Sequence, residues 1–492
     1  MRVIERPADV FNREAEWRDL AAFAISPTRR LNVGLVYGRR RQGKSFLLRA
    51  LTARTEGVYH QALEEERAGA LERFGARLAE RTELSGGRFA IRDWEEGFAA
   101  LLRTAEGRQP LVVVLDEFPY LLRGSPELPS LIQRLADDTA ATRGPAVRLI
   151  LCGSAMSVMT SLLSGARALR GRATLDLVLD PFDYRAARSF WEIEQVDLAF
   201  QVHAILGGTP GYRDLLEGGP RSTRALARWL AAGVLNPSHA LFREADYLLA
   251  EEPGITDRGL YNSVLAAIAR GDRTPGKVAA ALGRDEGALR HPLRMLEEAR
   301  LIARDQDVLL QRRPQLRVTD PILRFHHAIV RTNLAPLEER RAAEVWTSAA
   351  DTFSSQVLGP HFEEMARTWT ARHASERTMG GRVERVGMTV LNDREERTRH
   401  QVDVVALGPG GRRRKTVRLL GEAKGSVRPM TAGDLRRLER VRSLLSTAGR
   451  ADVSTARLAL FARSGFTDDL LREAGRRTDV ELIDLHRLYE GD

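Results

Sequence analysis

Short apolar runs alternate with amphipathic stretches over the first 180 residues of the chain. Three runs are almost uninterrupted: LNVGLVY at 31–37, LVVVL at 111–115 and VRLILC at 147–152. Continuous apolar runs of this length are typical of strands that are buried on both faces of a parallel sheet. The stretch at 46–52 has the pattern of a helix that follows the first strand. The alternation predicts an α/β domain with a parallel sheet.

The pattern changes after Asp180-Pro181, and residues 181–250 are predicted to be helical. From 254 to 318 the pattern predicts helices at 259–269, 274–282 and 286–300, followed by a short hairpin. This order is typical of a winged helix-turn-helix. Its third helix carries Arg290, His291 and Arg294, which would face DNA. The alternative is a module that packs only against protein.

The last part of the chain, 331–492, contains two predicted strands around the turn GPGG at 408–411. The strand at 401–407 carries Asp403, and the strand at 412–424 ends in Glu422-Ala423-Lys424. Side chains alternate along a strand, so Glu422 and Lys424 share a face, and pairing would bring both to Asp403. The two carboxylates, with Glu363 from a helical stretch at 359–373 as a further ligand, would bind Mg²⁺. Lys424 would orient the attacking water. The alternative is a solvated hairpin edge.

The segment between the first strand and the first helix reads GRRRQGKS and fits the phosphate-binding pattern G-x-x-x-x-G-K-[ST] at every fixed position. Its residues are Gly38, Arg39, Arg40, Arg41, Gln42, Gly43, Lys44 and Ser45. In such a loop the backbone N–H groups and the helix N-terminus face a phosphate. We expect Lys44 to contact the β- and γ-phosphates of ATP and Ser45 to ligate Mg²⁺.

Polar residues follow the next two apolar strands. Asp116 and Glu117 come directly after 111–115, and Ser154 comes soon after 147–152. The carboxyl ends of parallel strands meet at one edge of a sheet, so these side chains are predicted to lie near the phosphate loop. We expect Asp116 to hold Mg²⁺, Glu117 to polarise the attacking water and Ser154 to sense the γ-phosphate. A charged strand end at the surface is the alternative for the acidic pair.

Composition narrows the class of protein. The chain has 492 residues, which favours about three domains. It has a net charge of +10 and a pI of about 10.2, which favours a polyanionic partner.

Its one cysteine, Cys152, excludes an intrachain disulfide framework. No apolar run approaches the roughly 20 residues that cross a bilayer, and the N-terminus has no secretory pattern. We therefore expect a cytoplasmic protein without a membrane partner.

Lysine is rare in this basic chain. Of 76 lysines and arginines only four are lysines: Lys44, Lys277, Lys415 and Lys424. A bias toward arginine converts lysine wherever the two are exchangeable, so a retained lysine is a candidate for a role that needs a compact ammonium. Lys44 and Lys424 lie in the two motifs above. Chance retention is the alternative explanation, and it suffices for Lys277 and Lys415.

With these motifs the chain resembles archaeal-type ATPases of the signal-transduction (STAND) branch of the AAA+ superfamily. GRRRQGKS, LDEFPY and LCGSAM look like the Walker A, Walker B and sensor segments of that family. FNREAE, with Arg13, resembles the element that opens such domains near the nucleotide base. The pair Gly171-Arg172 is similar to the family's candidate arginine finger. GGTPGY resembles its G-G-x-P motif, whose proline, here Pro210, neighbours the adenine.

The resemblance implies a P-loop NTPase core of the AAA+ type at 1–180, a helical lid at 181–250, and a winged helix at 251–330. It also implies an α/β domain at 331–492 that is similar to restriction endonucleases of the PD-(D/E)xK class, with Asp403, Glu422 and Lys424 as its signature. Arg172 would act either across a subunit boundary, which implies a homo-oligomer, or in a closed state of the lid.

The implied function is an ATP-binding and ATP-hydrolysing switch coupled to a Mg²⁺-dependent DNA nuclease, with foreign DNA as its target and an unidentified ligand or protein as its trigger. The alternative is a regulatory ATPase that binds DNA or a protein through the winged helix and whose nuclease-like domain does not cut. A phosphotransferase acting on small molecules is a third hypothesis. The separate modules and the basic charge balance disfavour it.

Overall fold

The computed structural model describes residues 3–81, 91–105, 109–165, 167–310, 314–410, 415–449 and 451–492. The end of the predicted turn at 408–411 and the start of the predicted strand at 412–424 lie outside the described residues. The chain divides into two units. The first consists of Met1–Pro181, Thr209–Gly211 and Tyr247–Thr256, and the second consists of Phe182–Gly208, Tyr212–Asp246 and Asp257–Asp492.

The first unit contains a five-stranded sheet in which all paired strands are parallel. Its strands are β1 (Leu31–Tyr37), β2 (Val58–Gln61), β3 (Leu111–Asp116), β4 (Val147–Gly153) and β5 (Ala173–Val178). Their order in the sheet is β2-β3-β4-β1-β5. Every residue of β1, β3 and β4 is buried, which is why these strands have continuous apolar runs. The predicted parallel α/β core is confirmed.

Helices cover both faces of this sheet. They are α1 (Glu14–Ile25), α2 (Lys44–Thr55), α3 (Arg67–Arg81), α4 (Trp94–Thr104), α5 (Phe118–Gly124), α6 (Leu128–Thr142) and α7 (Met156–Ser161). Side chains alternate along β1, so Val33 and Leu35 join one apolar core, and Val36 joins another with Leu47 and Leu48 of α2. The loops that follow β1, β3 and β4 therefore emerge together at the carboxyl edge of a rigid sheet.

The middle of the chain is helical, as the sequence predicts. Its helices are α8 (Tyr184–Trp191), α9 (Val196–Leu206), α10 (Gly211–Leu215), α11 (Thr223–Ala232), α12 (Glu244–Ala250), α13 (Arg258–Ala269), α14 (Pro275–Ala281) and α15 (Arg290–Glu298). The Thr274 hydroxyl caps α14, with Pro275 in its first turn. The helix predicted from 286 begins later, because residues 286–289 form a separate 3₁₀ turn whose N-cap is Asp285.

An antiparallel pair follows α15. It consists of β6 (Ile302–Asp305) and β7 (Gln315–Val318), with Ile302 opposite Val318. Arg290, His291 and Arg294 are exposed on α15, while Leu293 and Leu296 are buried. The elements thus have the order that predicts a winged helix, and the DNA contact by α15 stays a prediction. Beyond β6, Val308 and Leu310 pack into the core of the C-terminal sheet.

The rest of the second unit has a mixed sheet with helices. The strands are β8 (Arg385–Asp393), β9 (Thr398–Gly408), β10 (Lys415–Lys424), β11 (Ala451–Asp452), β12 (Arg457–Ala462) and β13 (Val480–Asp484). The helices are α16 (Pro321–Phe325), α17 (Leu334–Glu338), α18 (Ala342–Ser348), α19 (Ala350–Thr352), α20 (Gly359–Arg372), α21 (Glu376–Met379), α22 (Ala432–Thr447), α23 (Asp468–Ala474) and α24 (Leu485–Glu490).

The order in this sheet is β13-β12-β10-β9-β8, and β11 pairs beside β10. Strands β8, β9 and β10 run antiparallel, whereas β10, β12 and β13 run parallel. Leu435, Leu438 and Val441 of α22 are buried in a core with β9, β10 and β12. Across the described residues, no helix combines the length and the apolarity that crossing a membrane requires.

Candidate functional site

The loop between β1 and α2 curls tightly around its glycines. Gly43, at the N-terminus of α2, has a φ of 88°, and Arg41 has a φ of 65°. A Cβ at Gly38 would lie 2.3 Å from the carbonyl oxygen of Leu179 and 2.6 Å from Oε1 of Gln42. Only glycine fits at position 38, and the left-handed conformation at 43 favours glycine. The loop has the geometry in which backbone N–H groups can surround a phosphate.

Lys44 and Ser45 begin α2 and reach across the carboxyl edge of the sheet. The Lys44 side chain is buried, and its Nζ donates a hydrogen bond to the carbonyl oxygen of Arg39 at 3.0 Å. The ammonium therefore lies against the loop, where it can contact an anion held by the loop. The hydroxyl of Ser45 donates to Oδ2 of Asp116 at 2.7 Å. The structure thus joins the two motifs that the sequence places 71 residues apart.

Asp116, at the end of β3, is fully buried and accepts several hydrogen bonds. Oδ2 accepts from Ser45 and from the hydroxyl of Tyr59, and Oδ1 accepts from the backbone N–H of Glu117 at 3.0 Å. Burial raises the pKa of Asp116, but hydrogen bonds from Cys152, Tyr59 and Ser45 outweigh it and leave the pKa below its ordinary value. An ionised carboxylate beside a hydroxyl is a set of hard oxygen ligands that suits Mg²⁺.

Glu117 starts α5 in a left-handed conformation with a φ of 54°. This strained geometry for a residue with a side chain is common at active sites. Burial and the neighbouring Asp116 charge raise the pKa of Glu117, against the opposing effect of the Lys44 ammonium. Oε2 of Glu117 accepts a hydrogen bond from the Ser154 hydroxyl at 3.4 Å. The raised pKa makes the carboxylate a stronger proton acceptor, as a residue that polarises water requires.

Two further predicted residues lie around the loop. The segment Thr209–Gly211 belongs to the first unit, and the Gly211 N–H donates to the carbonyl oxygen of Arg41 at 3.0 Å. Cγ of Pro210 lies 3.9 Å from where a Cβ on Gly43 would be. Arg13 is buried and donates to the carbonyl oxygen of Asp180 at 2.6 Å. The structure therefore brings Pro210 to the loop. It brings Arg13 to Asp180, and the carbonyl oxygen of the preceding residue, Leu179, lies against Gly38.

Arg172 does not join this site. It immediately precedes β5, whose first residue pairs with Val33, whereas Val178 at the other end pairs with Tyr37 beside the loop. The first and last residues of β5 are five positions apart along the strand, which corresponds to about 17 Å. Arg172 is partly exposed and forms an ion pair with Asp137 at 3.1 Å. Its predicted action, across a subunit boundary or in a closed lid, stays a prediction.

Several residues of the site were not predicted from the sequence. Tyr59 of β2 hydrogen-bonds to Asp116, and its local sequence has no motif. What could have identified Tyr59 is the pairing of β2 with β3, whose register places Tyr59 opposite Val114. The buried Glu252 carboxylate accepts from the backbone N–H groups of Met156 and Ser157 after β4, at 2.7 and 3.2 Å. The predicted lid and winged-helix boundaries give no hint that this segment belongs to the first unit.

The second set of predicted residues meets on β9 and β10. Val404 lies opposite Gly421, and Oδ2 of Asp403 accepts from the backbone N–H of Ala423 at 3.0 Å, between Glu422 and Lys424. Gln401 donates to the other oxygen of Asp403 at 2.8 Å. The strand pairing expected from the sequence therefore brings the aspartate to the E-x-K segment.

Three carboxyls in this region have raised pKa values. Burial raises the pKa of Asp403. Burial and the Asp403 charge together raise the pKa of Glu422 to about 7, and they also raise the pKa of Glu363 on α20. A buried group of like charges favours a bound cation. Their ligand oxygens do not all come within 4.8 Å of one another. Within the described ranges, the group that meets this distance is Asp393, Glu396 and His400.

The remaining charges around the E-x-K segment are paired. Glu422 accepts a hydrogen bond from Arg437 at 2.8 Å, and Glu363 lies 3.6 Å from Arg273. The Lys424 ammonium forms an ion pair with Asp434, which also accepts from the backbone N–H of Thr431 at the start of α22. Lys424 is thus held by Asp434, a partner that the sequence analysis did not name.

Comparisons with known proteins cover all of the β1–β5 sheet and extend beyond the first unit. Residues 10–212 match a family described as an ATPase domain predominantly from Archaea. An uncharacterized protein of Methanocaldococcus jannaschii is 26% identical over 339 residues, which cover 68% of this chain and 71% of that protein.

Solved structures with a partly similar backbone include a Walker-type ATPase of Pyrococcus abyssi, which is 20% identical in sequence and has a TM-score of 0.49. The match covers 66% of this chain and 98% of that one. The ORC2 protein of Aeropyrum pernix has 13% identity, a TM-score of 0.42, and coverage of 70% and 97%. Both scores lie below 0.5, so these likenesses do not bear on function. The family match agrees with the loop, the parallel sheet and the Ser45–Asp116 contact. Residues 10–212 are therefore similar to an ATPase domain of the type found predominantly in Archaea.

Proposed function

We propose that the chain couples the binding and hydrolysis of ATP to metal-dependent cutting of DNA by the C-terminal part of its second unit. The observation that supports this is the presence, in one chain, of two sets of buried or half-buried carboxylates suited to phosphoryl chemistry. One set is Asp116 with Glu117, and the other is Asp403 with Glu422.

In the ATPase step, the backbone N–H groups of the loop and the Lys44 ammonium bind the β- and γ-phosphates. Ser45 and Asp116 would ligate Mg²⁺, which when bound neutralises phosphate charge. Glu117 accepts a proton from the attacking water, because its raised pKa favours proton transfer. Ser154 holds the Glu117 carboxylate in place through its hydroxyl.

In the DNA step, Asp403 and Glu422 would ligate the metal, which when bound neutralises the charge of the scissile phosphate. Glu363 would join them only where the three carboxyls come closer together than they lie in the structure. Lys424 orients the attacking water. The exposed Arg290, His291 and Arg294 of α15 supply phosphate contacts, and the net charge of +10 favours a nucleic-acid partner.

A regulatory ATPase without cutting activity is the second candidate. It is favoured by the ion pair of Lys424 with Asp434 and by the hydrogen bond of Glu422 with Arg437, which occupy two groups of the predicted nuclease site. In this case the second unit binds DNA or a protein, and ATP controls that binding.

Arg172 provides a route for ATP to control assembly. It is partly exposed at the end of the sheet away from the phosphate loop, so it would reach a γ-phosphate in a neighbouring subunit. A homo-oligomer that forms with ATP follows from this placement. The trigger would be a ligand or protein that changes the stability of this assembly.

The Lys44→Ala variant tests the ATP site. We expect ATP affinity to fall by about 2–3 kcal/mol, roughly 30- to 150-fold, because a charge-assisted contact to the phosphates is lost. Calorimetric titration of ATP measures this. Lys277→Ala, which removes an exposed lysine of α14, is the matched control and should bind ATP as the parent does. Equal ATP affinity in the two variants would contradict the assignment.

Plasmid nicking separates the two candidate functions. We expect the full chain to cut DNA in Mg²⁺ or Mn²⁺, with a dependence on ATP, and to stop in a chelator. Asp403→Asn should abolish cutting with ATP hydrolysis intact, since the amide is a poor ligand for a hard cation. Asp468→Asn, at an exposed position of α23, is the control. An active ATPase that cuts under no metal condition would favour the regulatory alternative.

A further inference from the structure

A cavity of about 80 Å³ in the second unit is lined by an unusual concentration of arginines. It lies among the end of α13, strand β7 and the first half of α20. Its volume is several times what one water molecule needs. The guanidinium-bearing residues that line it are Arg270, Arg273, Arg317, Arg324 and Arg367.

The acidic residues nearby do not balance these arginines. Arg317 pairs with Asp305 at 3.0 Å and with Glu364, and Arg324 shares the same Glu364 at 3.0 Å. Arg273 has Glu363 at 3.6 Å, a carboxyl whose pKa is raised by burial and by Asp403. Arg367 also interacts with Asp403, so the five lining arginines face four carboxyls. Burial raises the pKa of two of these, Glu363 and Asp403, toward their neutral forms.

One guanidinium nitrogen at this cavity has no acceptor. Arg324 is 3% exposed, and its Nη2 donates to the Val318 carbonyl oxygen and to Glu364, whereas its buried Nη1 has no hydrogen-bond partner among the described atoms. Burial and the charges of Arg317 and Arg273 lower the pKa of Arg324 against the attraction of Glu364. A buried donor of this kind is costly unless an acceptor is bound.

We propose that this cavity binds a phosphate group. Guanidinium forks match phosphate oxygens with paired N–H donors, and several forks facing one small volume suit a compact anion with more than one oxygen. The phosphate would accept from Nη1 of Arg324 and compensate the excess positive charge. Its source is either a phosphodiester of DNA or a free phosphate or nucleotide.

The cavity adjoins the carboxylates of the second site. Gln401 and Arg367 line it. Gln401 donates to the Asp403 carboxylate at 2.8 Å, and Arg367 donates to the backbone carbonyl oxygen of Asp403 at 3.0 Å. Under the proposed nuclease function, which this placement extends, the cavity holds a backbone phosphate beside the cutting site. Phosphate binding itself requires no cutting, so the two proposals can fail separately.

The test is calorimetric titration of inorganic phosphate into the full chain carrying Lys44→Ala, which weakens binding at the ATP loop. We expect Arg273→Gln and Arg270→Gln each to weaken phosphate binding about tenfold, since each removes a charge from the cavity. Arg270 is exposed and Arg273 is partly exposed, so both variants should fold, and thermal melting checks this. Arg472→Gln, at an exposed position of α23 outside the cavity lining, is the matched control.

Binding of a DNA duplex in a chelator, where nothing is cut, identifies the source. Weaker duplex binding in both cavity variants, with competition by inorganic phosphate, assigns the site to DNA. Unchanged duplex binding together with weaker phosphate binding assigns it to a free phosphate or nucleotide. Phosphate affinities that match the Arg472→Gln control in both cavity variants would overturn the proposal. A parent that binds phosphate but never cuts DNA would refute the nuclease and leave this site standing.

Discussion

Glu117→Gln should lower ATP turnover about a thousandfold while ATP affinity stays within about twofold of the parent. The amide is nearly the same shape as the carboxylate and keeps an oxygen that can accept from Ser154. It cannot accept a proton from the attacking water. The contact of Ser45 with Asp116 and the Lys44 ammonium are untouched, so the phosphates and Mg²⁺ keep their ligands.

The measurement is single-turnover hydrolysis beside calorimetric ATP binding. Glu95→Gln, at an exposed position of α4, is the control for an acid-to-amide change in the same unit and should hydrolyse ATP as the parent does. If the Glu117→Gln variant keeps the ATP turnover of the parent and loses ATP affinity, Glu117 acts in binding, and its assignment as the water-activating group is wrong.

The pH dependence of hydrolysis gives a second readout of the same residue. Burial and Asp116 raise the pKa of Glu117, so the active carboxylate is lost at a higher pH than an ordinary glutamate would be as the pH falls. The parent rate should therefore decline on the acid side from above the ordinary glutamate pKa. The residual rate of Glu117→Gln should not show this decline.

The sequence predicts an element correctly where the residues that determine it lie in one continuous segment. The runs at 31–37, 111–115 and 147–152 predict β1, β3 and β4 with ends within one residue, because strands buried on both faces need continuous apolar residues. The loop at 38–45 was predicted because every fixed position of the phosphate-binding pattern is present in one segment. The structure shows why two of these positions are glycine: a Cβ would clash at 38, and the backbone at 43 is left-handed. Ser45 follows β1 and Asp116 ends β3, and β4 lies between these two strands. Because the carboxyl ends of parallel strands lie at one edge of the sheet, the sequence could place the two residues on the same edge.

Contacts set by long-range register could not be predicted in this way. Tyr59 reaches Asp116 only because β2 pairs with β3, and the four residues of β2 have no alternation that fixes this register. Glu252 caps the backbone after β4 from a segment 95 residues further along the chain. Such a contact depends on how the chain returns to the sheet, which hydrophobic periodicity does not encode.

The C-terminal site shows the same division. The alternation along 401–407 and the E-x-K segment predict that Asp403 meets β10, and it does. The charges that pair with these residues come from α22, through Arg437 and Asp434. Their positions depend on how that helix packs on the sheet. The sequence thus indicates which candidate groups meet and leaves open which counter-charges hold them.

Lys424→Arg should abolish DNA cutting, by about a thousandfold or more, and leave ATP hydrolysis unchanged. In the structure the Lys424 ammonium pairs with Asp434 at the start of α22. Arginine can keep an ion pair with this carboxylate, so a purely structural role would survive the substitution. A role in orienting water would not, because the planar guanidinium is wider and has a much higher pKa than an ammonium.

Lys415→Arg is the matched control because it makes the same change at the other end of β10, where the lysine donates to the carbonyl oxygen of Val308 at 2.7 Å. We expect this variant to cut as the parent does in the plasmid-nicking assay. Cutting at the parent rate by Lys424→Arg would reduce Lys424 to a structural partner of Asp434. It would also contradict the explanation that lysine is retained in this arginine-rich chain for its compact charge. Outside the ATP loop, Lys424 is the position where that charge is expected to matter, and arginine would have replaced it without loss.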